Sequence, residues 1–145
     1  MTQRVVVAYD ESEQARAALH HTLTTHAGAE IHVLHVNDPR EWMGTDDMGG
    51  LYSEKALNQM QASATQLLDE ARSIAKEHDV DITVSTANGR IASEIVQYVE
   101  ENDVDHIVLG SHGRRGLARF LLGSVAERVV RRSPVSVTVI RKSDR

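Results

Sequence analysis

The chain of 145 residues carries 16 basic and 21 acidic side chains, which gives a formal net charge of −5 at pH 7. This length suits one domain with a substantial hydrophobic core, and we expect residues 1–145 to form that domain. The acidic balance argues against a nucleic-acid-binding protein, and the absence of cysteine excludes disulfides, thiolate metal sites and a cysteine nucleophile.

The first part of the sequence predicts two buried strands with a helix between them. The apolar run from Arg4 to Ala8 is typical of a central strand that is covered on both faces. Ser12 is placed to cap the helix and Gly28 is placed to end it. Ile31–Val36 predicts the second strand. The apolar face of the helix consists of Ala15, Ala18, Leu19, Thr22 and Leu23.

The middle of the sequence predicts an excursion, a long helix and a third strand. The segment Asn37–Tyr52 holds a proline and three glycines among acidic residues, which is typical of a lid or a contact surface. Ser53 is placed to open a helix whose apolar residues keep helical spacing. Asp81–Thr86 alternates as a strand, and Asn88-Gly89 predicts a turn.

The last part of the sequence continues the alternation of strands and helices. Apolar residues keep helical spacing from Ile91 to Val99, and Asp105–Leu109 predicts the fourth strand. Val125–Val130 predicts the fourth helix and Val135–Ile140 the final strand. This alternation predicts an α/β fold with an open, doubly wound, Rossmann-like sheet of five parallel strands. In such sheets ligands bind beyond the carboxyl ends of the strands, where the strand order reverses.

A glycine-rich loop connects the fourth strand to the fourth helix. Gly110 and Gly113 permit backbone conformations with positive φ, and Ser124, which follows Gly123, is placed to cap the helix. A loop with free N–H groups that leads into a helix N-terminus is a natural phosphate site. The sequence therefore predicts an anion site here, although neither the P-loop nor the dinucleotide-binding glycine pattern is present.

The spacing G-x2-G-x9-G-S that begins at Gly110 resembles, position for position, the ATP-binding signature of the universal stress protein family. The resemblance covers nearly the whole chain, including Val5–Asp10, Val33–Val36 and Pro134–Val139. It implies the strand order 3-2-1-4-5, with strand 1 beside strand 4 at the reversal. Asp10 and Gly110 would then face one crevice.

The resemblance also implies which residues surround an adenine nucleotide, which would be ATP, ADP or AMP. The loop glycines, the Ser124 hydroxyl and the Val125 N–H would hold phosphate oxygens. Asp10 would lie near the ribose and near any Mg²⁺ that is bound with the phosphates. Guanidinium groups suit phosphate oxygens, so Arg114 and Arg115 could clamp the phosphates, but they fit solvated loop positions equally well.

The adenine end of the implied site is apolar. Val36 would offer backbone groups to the adenine edge, while Ala8 and Leu109 would wall the pocket. The complete predicted nucleotide-binding set is Ala8, Asp10, Val36, Leu109, Gly110, Gly113, Arg114, Arg115, Gly123, Ser124 and Val125.

No catalytic residue and no protein metal site is predicted. A serine, histidine and aspartate constellation is not recognisable around His112, which we interpret as a loop residue that could contact phosphate. His32 and His35 lie three apart on a strand and so point to opposite faces.

The implied function is regulatory. The family resemblance predicts a nucleotide-binding homodimer of the stress response, paired through the last strand, Val135–Ile140, whose apolar edge would otherwise be uncovered. Because the sequence shows no secretion signal and no apolar run near the roughly 20 residues that span a bilayer, we expect a cytoplasmic protein without a membrane segment. The alternatives are a slow ATPase or phosphoryl-transfer enzyme at the same site, for which no convincing catalytic base is seen, and a nucleotide-free interaction protein.

Overall fold

The computed structural model describes residues 2–40, 54–112 and 122–141, and within these ranges strands and helices alternate along the chain. The strands are β1 (Arg4–Ala8), β2 (Glu30–Asn37), β3 (Ile82–Asn88), β4 (His106–Gly110) and β5 (Ser136–Ile140). The helices are α1 (Glu13–Thr25), α2 (Glu54–Glu77), α3 (Ile91–Glu101) and α4 (Ser124–Arg132). None of the helices in the described ranges is both long and apolar enough to cross a lipid bilayer.

The five strands form one parallel sheet in the order β3-β2-β1-β4-β5. This confirms the predicted fold class and strand order. β1 pairs with β2 on one side and with β4 on the other, so the strand order reverses between β1 and β4. Because the strands are parallel, the ends of β1 and β4 meet at one edge of the sheet, here called the carboxyl edge.

Helices cover both faces of the sheet and define two apolar cores. Successive residues of a strand point to opposite faces, so Val5 and Val7 pack towards α1 and α2, while Val6 packs towards α3 and α4. Ile107 and Val108 divide between the two faces in the same way. All five side chains are fully buried. Burial on both faces explains why the central strands are continuous apolar runs rather than alternating ones.

The start of α1 agrees with the sequence prediction and its end does not. The Ser12 Oγ accepts a hydrogen bond from the Ala15 N–H at 3.1 Å, which confirms Ser12 as the N-cap. The prediction that Gly28 ends the helix is wrong. His26 is the C-cap, with φ −116°, and its N–H donates to the Thr22 carbonyl oxygen at 2.8 Å. The last turn therefore closes through an ordinary backbone hydrogen bond and requires no glycine.

The start of α4 corrects a second helix cap. Gly123 is the N-cap and Ser124 is the first helical residue, so the prediction of Ser124 as the cap is wrong.

β3 extends to Asn88, and the turn that follows it is at Gly89, where φ is +148°. The predicted helix start at Ser53, and the irregular segment beyond residue 40, lie outside the described residues.

Three histidines form a chain of ring contacts at the amino ends of the strands. The ring centroid of His26 lies 5.2 Å from that of His106 and 6.1 Å from that of His21. The His106 Nε2 lies 2.7 Å from the Thr138 Oγ1 on β5. Partial burial, and then the nearby His26 and His21, lower the pKa of His106 below its ordinary value of 6.5.

Acidification should destabilise the fold through this contact chain. Because the folded state disfavours charged His106, the unfolded chain binds more protons once the pH falls below 6.5. The contribution is present above that pH and is lost as the pH falls towards the lower pKa of the folded state. His106→Gln cannot titrate, so its Tm should fall less than the wild-type Tm between about pH 7.5 and about pH 5.5.

The matched control is His78→Gln, because the His78 ring contacts His20 and lies outside the chain of His21, His26 and His106. This variant should keep the wild-type dependence of Tm on pH. A His106→Gln protein with the same dependence as wild type would contradict the prediction.

Candidate functional site

A cleft of about 1610 Å³ lies at the carboxyl edge, where the strand order reverses between β1 and β4. Its volume exceeds the roughly 300–1,000 Å³ of common small-molecule pockets and leaves room for a ligand of nucleotide size. Gly113, Arg114 and Arg115 lie outside the described residues. The other eight predicted site residues all line the cleft, namely Ala8, Asp10, Val36, Leu109, Gly110, Gly123, Ser124 and Val125.

The N-terminus of α4 forms one wall of this cleft. The N-cap Gly123 has no side chain to satisfy the first turn, and its own N–H donates to the Ser111 carbonyl oxygen at 2.8 Å. The N–H groups of Ser124, Val125 and Ala126 have no acceptor within the helix. Together with the positive end of the helix dipole, they form a site that favours an anion.

Gly110 is required by packing rather than by a special backbone conformation. A Cβ added at Gly110 would lie 2.6 Å from the Gln14 Cβ and 2.9 Å from the Gln14 carbonyl carbon. The interpretation that a glycine is present at 110 to permit a positive φ is wrong, because Gly110 does not have a positive φ. Among the described glycines, the positive φ is at Gly89. Only a glycine lets the first turn of α1 pack this closely against the end of β4.

Gly123 has a similar steric role. A Cβ added there would lie 3.1 Å from the Ser111 carbonyl oxygen and 3.3 Å from the His112 Cα. Its φ is −66°, which any residue adopts. The glycine therefore lets the backbone before α4 approach the backbone after β4.

Asp10 lies directly beyond the end of β1. Its Oδ1 accepts a hydrogen bond from the Ser12 N–H at 2.8 Å, which fixes the turn into α1. Its Oδ2 accepts no hydrogen bond from the described residues and is available to a ligand. The described ranges contain no group of three or more histidine and acidic side chains that could hold a metal ion.

Tyr9 forms a rigid support beside Asp10 that sequence reasoning missed. Its hydroxyl donates to the Glu70 Oε1 at 2.8 Å, and the Arg16 Nη2 donates to the Glu70 Oε2 at 3.3 Å. The Tyr9 carbonyl oxygen accepts a hydrogen bond from the His35 Nδ1 at 2.8 Å. Burial, and then the Glu70 carboxylate, raise the pKa of the Tyr9 hydroxyl. No local pattern signals this network, since its members come from four separate segments.

Two buried polar residues follow Val36 at the end of β2 and also line the cleft. Asn37 and Asp38 are each 5% exposed. The Asn37 Nδ2 donates to the Asn88 Oδ1 at 3.1 Å. Arg40 donates to both Asp38 carboxylate oxygens, at 3.0 Å and 2.6 Å, and these hydrogen bonds lower the pKa of Asp38. Sequence reasoning assigned both residues to an irregular segment, although polar residues directly after a buried strand are a usable signal for a site.

The model of the universal stress protein family matches residues 1–141. The chain belongs to this family. It is 33% identical to universal stress protein MJ0577 of Methanocaldococcus jannaschii. The alignment of 158 positions covers 99% of this chain and 98% of that protein. It is 31% identical to universal stress protein YxiE of Bacillus subtilis, with 97% of this chain and 100% of that protein covered.

Solved structures of universal stress proteins share the fold. The structure of MJ0577 superposes with a TM-score of 0.81 at 27% identity, covering 100% of this chain and 99% of that one. A universal stress protein in complex with cAMP superposes with a TM-score of 0.70, also at 27% identity, and 98% of each chain is covered. UspA of Lactobacillus plantarum gives a TM-score of 0.77 at 21% identity over 96% of this chain and 97% of that one, which supports the fold alone.

The packing at Gly110 predicts a loss of stability when a methyl group is added. Gly110→Ala should lower the free energy of unfolding by about 1–3 kcal/mol, because the new Cβ collides with the backbone of α1. Urea denaturation measures this difference. Gly28→Ala is the matched control, since an added Cβ there meets no atom within 4 Å, and it should change stability by less than about 0.5 kcal/mol. Equal losses for both variants would contradict the prediction.

Proposed function

We propose that this universal stress protein binds an adenine nucleotide, namely ATP, ADP or AMP, at the carboxyl edge and acts as a regulatory protein of the stress response in the cytoplasm. The observation that carries the proposal is the convergence of eight predicted residues on one cleft at the strand-order reversal. The similar universal stress protein that was solved in complex with cAMP supports an adenine nucleotide as the class of ligand.

The phosphates of the nucleotide would occupy the N-terminus of α4. The N–H groups of Ser124 and Val125 lack helical acceptors, and the Ser124 hydroxyl is not used as a helix cap. Both features leave donors for phosphate oxygens. Gly113, Arg114 and Arg115 belong to the same loop in the sequence, and the two arginines would add charge on the phosphate side.

The nucleoside would lie along the ends of β1, β2 and β4. Ala8 and Leu109 belong to the core on the α3 and α4 side of the sheet, and Val36 is part of the same cluster. These three side chains give the cleft an apolar wall that suits a purine ring. The Val36 backbone would meet the adenine edge, and the free Asp10 oxygen would accept a ribose hydroxyl.

Magnesium would enter with the phosphates. Mg²⁺ is commonly held by one or two carboxylates together with substrate phosphates and water. The Asp10 Oδ2, which has no partner among the described residues, fits that pattern.

The protein would act through the surface that nucleotide binding stabilises. A ligand that binds one conformation of the cleft loops better than another shifts the population towards it. A partner protein could then distinguish the occupied form from the empty form. Slow hydrolysis or phosphoryl transfer is the enzymatic alternative, and the fate of the bound ATP separates the two.

The protein would assemble as a homodimer through β5. This strand is the last in the sheet order, and among the described residues it pairs only with β4. Val135, Val137 and Val139 pack against the core on the α3 and α4 side and are only partly buried. An unpaired edge with apolar residues readily pairs with another strand, and a second copy would cover it.

Nucleotide binding is tested first on freshly purified protein to which no ligand has been added. The protein is denatured, and any released nucleotide is identified by chromatography and mass spectrometry. We expect an adenine nucleotide close to one per chain, because the cleft would offer it both an apolar wall and anion donors. Calorimetry with Mg-ATP should show binding to any empty fraction.

An empty protein that also fails to bind Mg-ATP would refute nucleotide binding and favour the nucleotide-free interaction protein. Conversion of bound ATP to ADP during incubation would instead support the enzymatic alternative.

The dimer is tested at Ser136, which is the exposed first residue of β5. Ser136→Lys places a charge on the edge, and edge charges discourage strand pairing between chains. Sedimentation analysis should show a dimer for wild type and a weakened dimer for the variant. Ser73→Lys adds the same charge at an exposed position of α2 and should leave the dimer intact. A monomeric wild type would refute the proposed assembly.

A further inference from the structure

His112 carries a buried ring nitrogen without a hydrogen-bond partner. The Nε2 atom of His112 is buried and has no hydrogen-bond partner. Among the described residues, no other buried side-chain nitrogen or oxygen atom lacks a partner. Buried polar atoms in native proteins are nearly always paired, so such an atom calls for a physical explanation. His112 lines the cleft at the carboxyl edge, where an atom of a bound ligand can supply the hydrogen-bond partner.

The His112 ring lies beside the N-terminus of α4. A Cβ added at Gly123, the N-cap of this helix, would lie 3.6 Å from the His112 Cδ2, which is the ring carbon bonded to Nε2. The unpaired nitrogen therefore lies near the N–H groups of the first helical turn, which have no acceptor within the helix. The positive end of the helix dipole makes this region favourable for an anion.

Ser111 holds the ring from its other side. The Ser111 Oγ lies 3.2 Å from the His112 Nδ1. Ser111 is itself fixed, because its N–H donates to the Ile140 carbonyl oxygen and its carbonyl oxygen accepts the Gly123 N–H, both at 2.8 Å. It is only 6% exposed. The hydroxyl is thus a rigidly placed partner for the imidazole.

This arrangement can present a proton donor to the cleft. When the Ser111 hydroxyl donates to the His112 Nδ1, the proton of the neutral ring resides on Nε2. A phosphate oxygen is an acceptor and carries negative charge, so it complements an N–H group. Ser111 would then fix both the tautomer and the orientation of the ring.

We propose that His112 is a phosphate-binding residue whose Nε2–H donates to a phosphate oxygen of the bound nucleotide, and that Ser111 is its positioning residue. This role rests on the proposed nucleotide function of the cleft. It adds a side-chain donor to the backbone donors of α4 at a residue for which the sequence motif specifies no role.

The test compares a ligand that has phosphates with one that has none. Calorimetry measures the affinities of wild type, His112→Ala, His112→Gln and Ser111→Ala for Mg-ATP and for adenosine. The affinity of His112→Ala for Mg-ATP should be about 10- to 100-fold lower than that of wild type, because one hydrogen bond to a charged group is lost. Adenosine binding should stay within about threefold of wild type, since adenosine lacks the accepting oxygen.

The conservative and positioning variants sharpen the test. His112→Gln carries an amide N–H near the place of Nε2 and should recover most of the ATP affinity. Ser111→Ala keeps the donor but loses its positioning, so it should bind ATP with intermediate affinity. His78→Gln is the control outside the cleft and should bind both ligands as wild type does.

Ring nitrogen NMR of labelled wild-type protein gives a readout that does not depend on how the variants fold. The His112 Nε2 signal should shift when ATP is added and stay unchanged with adenosine. Wild-type ATP affinity in His112→Ala, or equal losses of ATP and adenosine binding, would overturn the phosphate contact. Failure of the wild-type protein to bind either ligand would instead overturn the proposed function of the cleft.

Discussion

The pairing of β1 with β4 joins two distant segments of the chain, and the carboxyl-edge cleft depends on it. Backbone hydrogen bonds place Val7 beside Val108, and the order of the sheet reverses at this pair. Because the strands are parallel, their ends emerge together, which places Asp10 and Gly110 in one cleft. The full burial of both valines makes this register costly to change, since a shift of one residue would turn each core side chain to the other face.

Close approach of backbones then shapes the site. Gly110 allows the first turn of α1 to pack against the end of β4, and Gly123 allows the start of α4 to pack against Ser111 and His112. The glycines thus have a packing role that is independent of any ligand. They also bring the free N–H groups of α4 into the cleft. Close packing therefore accounts for a glycine at both positions.

Local electrostatics differ from the net charge of the protein. The chain carries a formal charge of −5, yet the N-terminus of α4 favours an anion because its N–H dipoles are aligned and lack acceptors within the helix. Asp10 contributes a carboxylate oxygen, Oδ2, that accepts no hydrogen bond from the described residues. The cleft thus combines backbone N–H donors with a carboxylate acceptor. Oriented backbone groups, rather than composition, create this character.

The five strands and the parallel α/β fold could be predicted from the sequence, because apolar runs such as Ile107–Leu109 and spaced glycines are local signals. The sequence mispredicted the helix caps at Gly28 and Ser124, since a cap depends on local backbone geometry that several residue types satisfy. The contact of Ser111 with His112 and the three-histidine chain that ends at His106 could not be predicted in this way. The orientation of a ring, and contacts between segments far apart in the chain, follow from packing and backbone register, which a linear pattern does not encode.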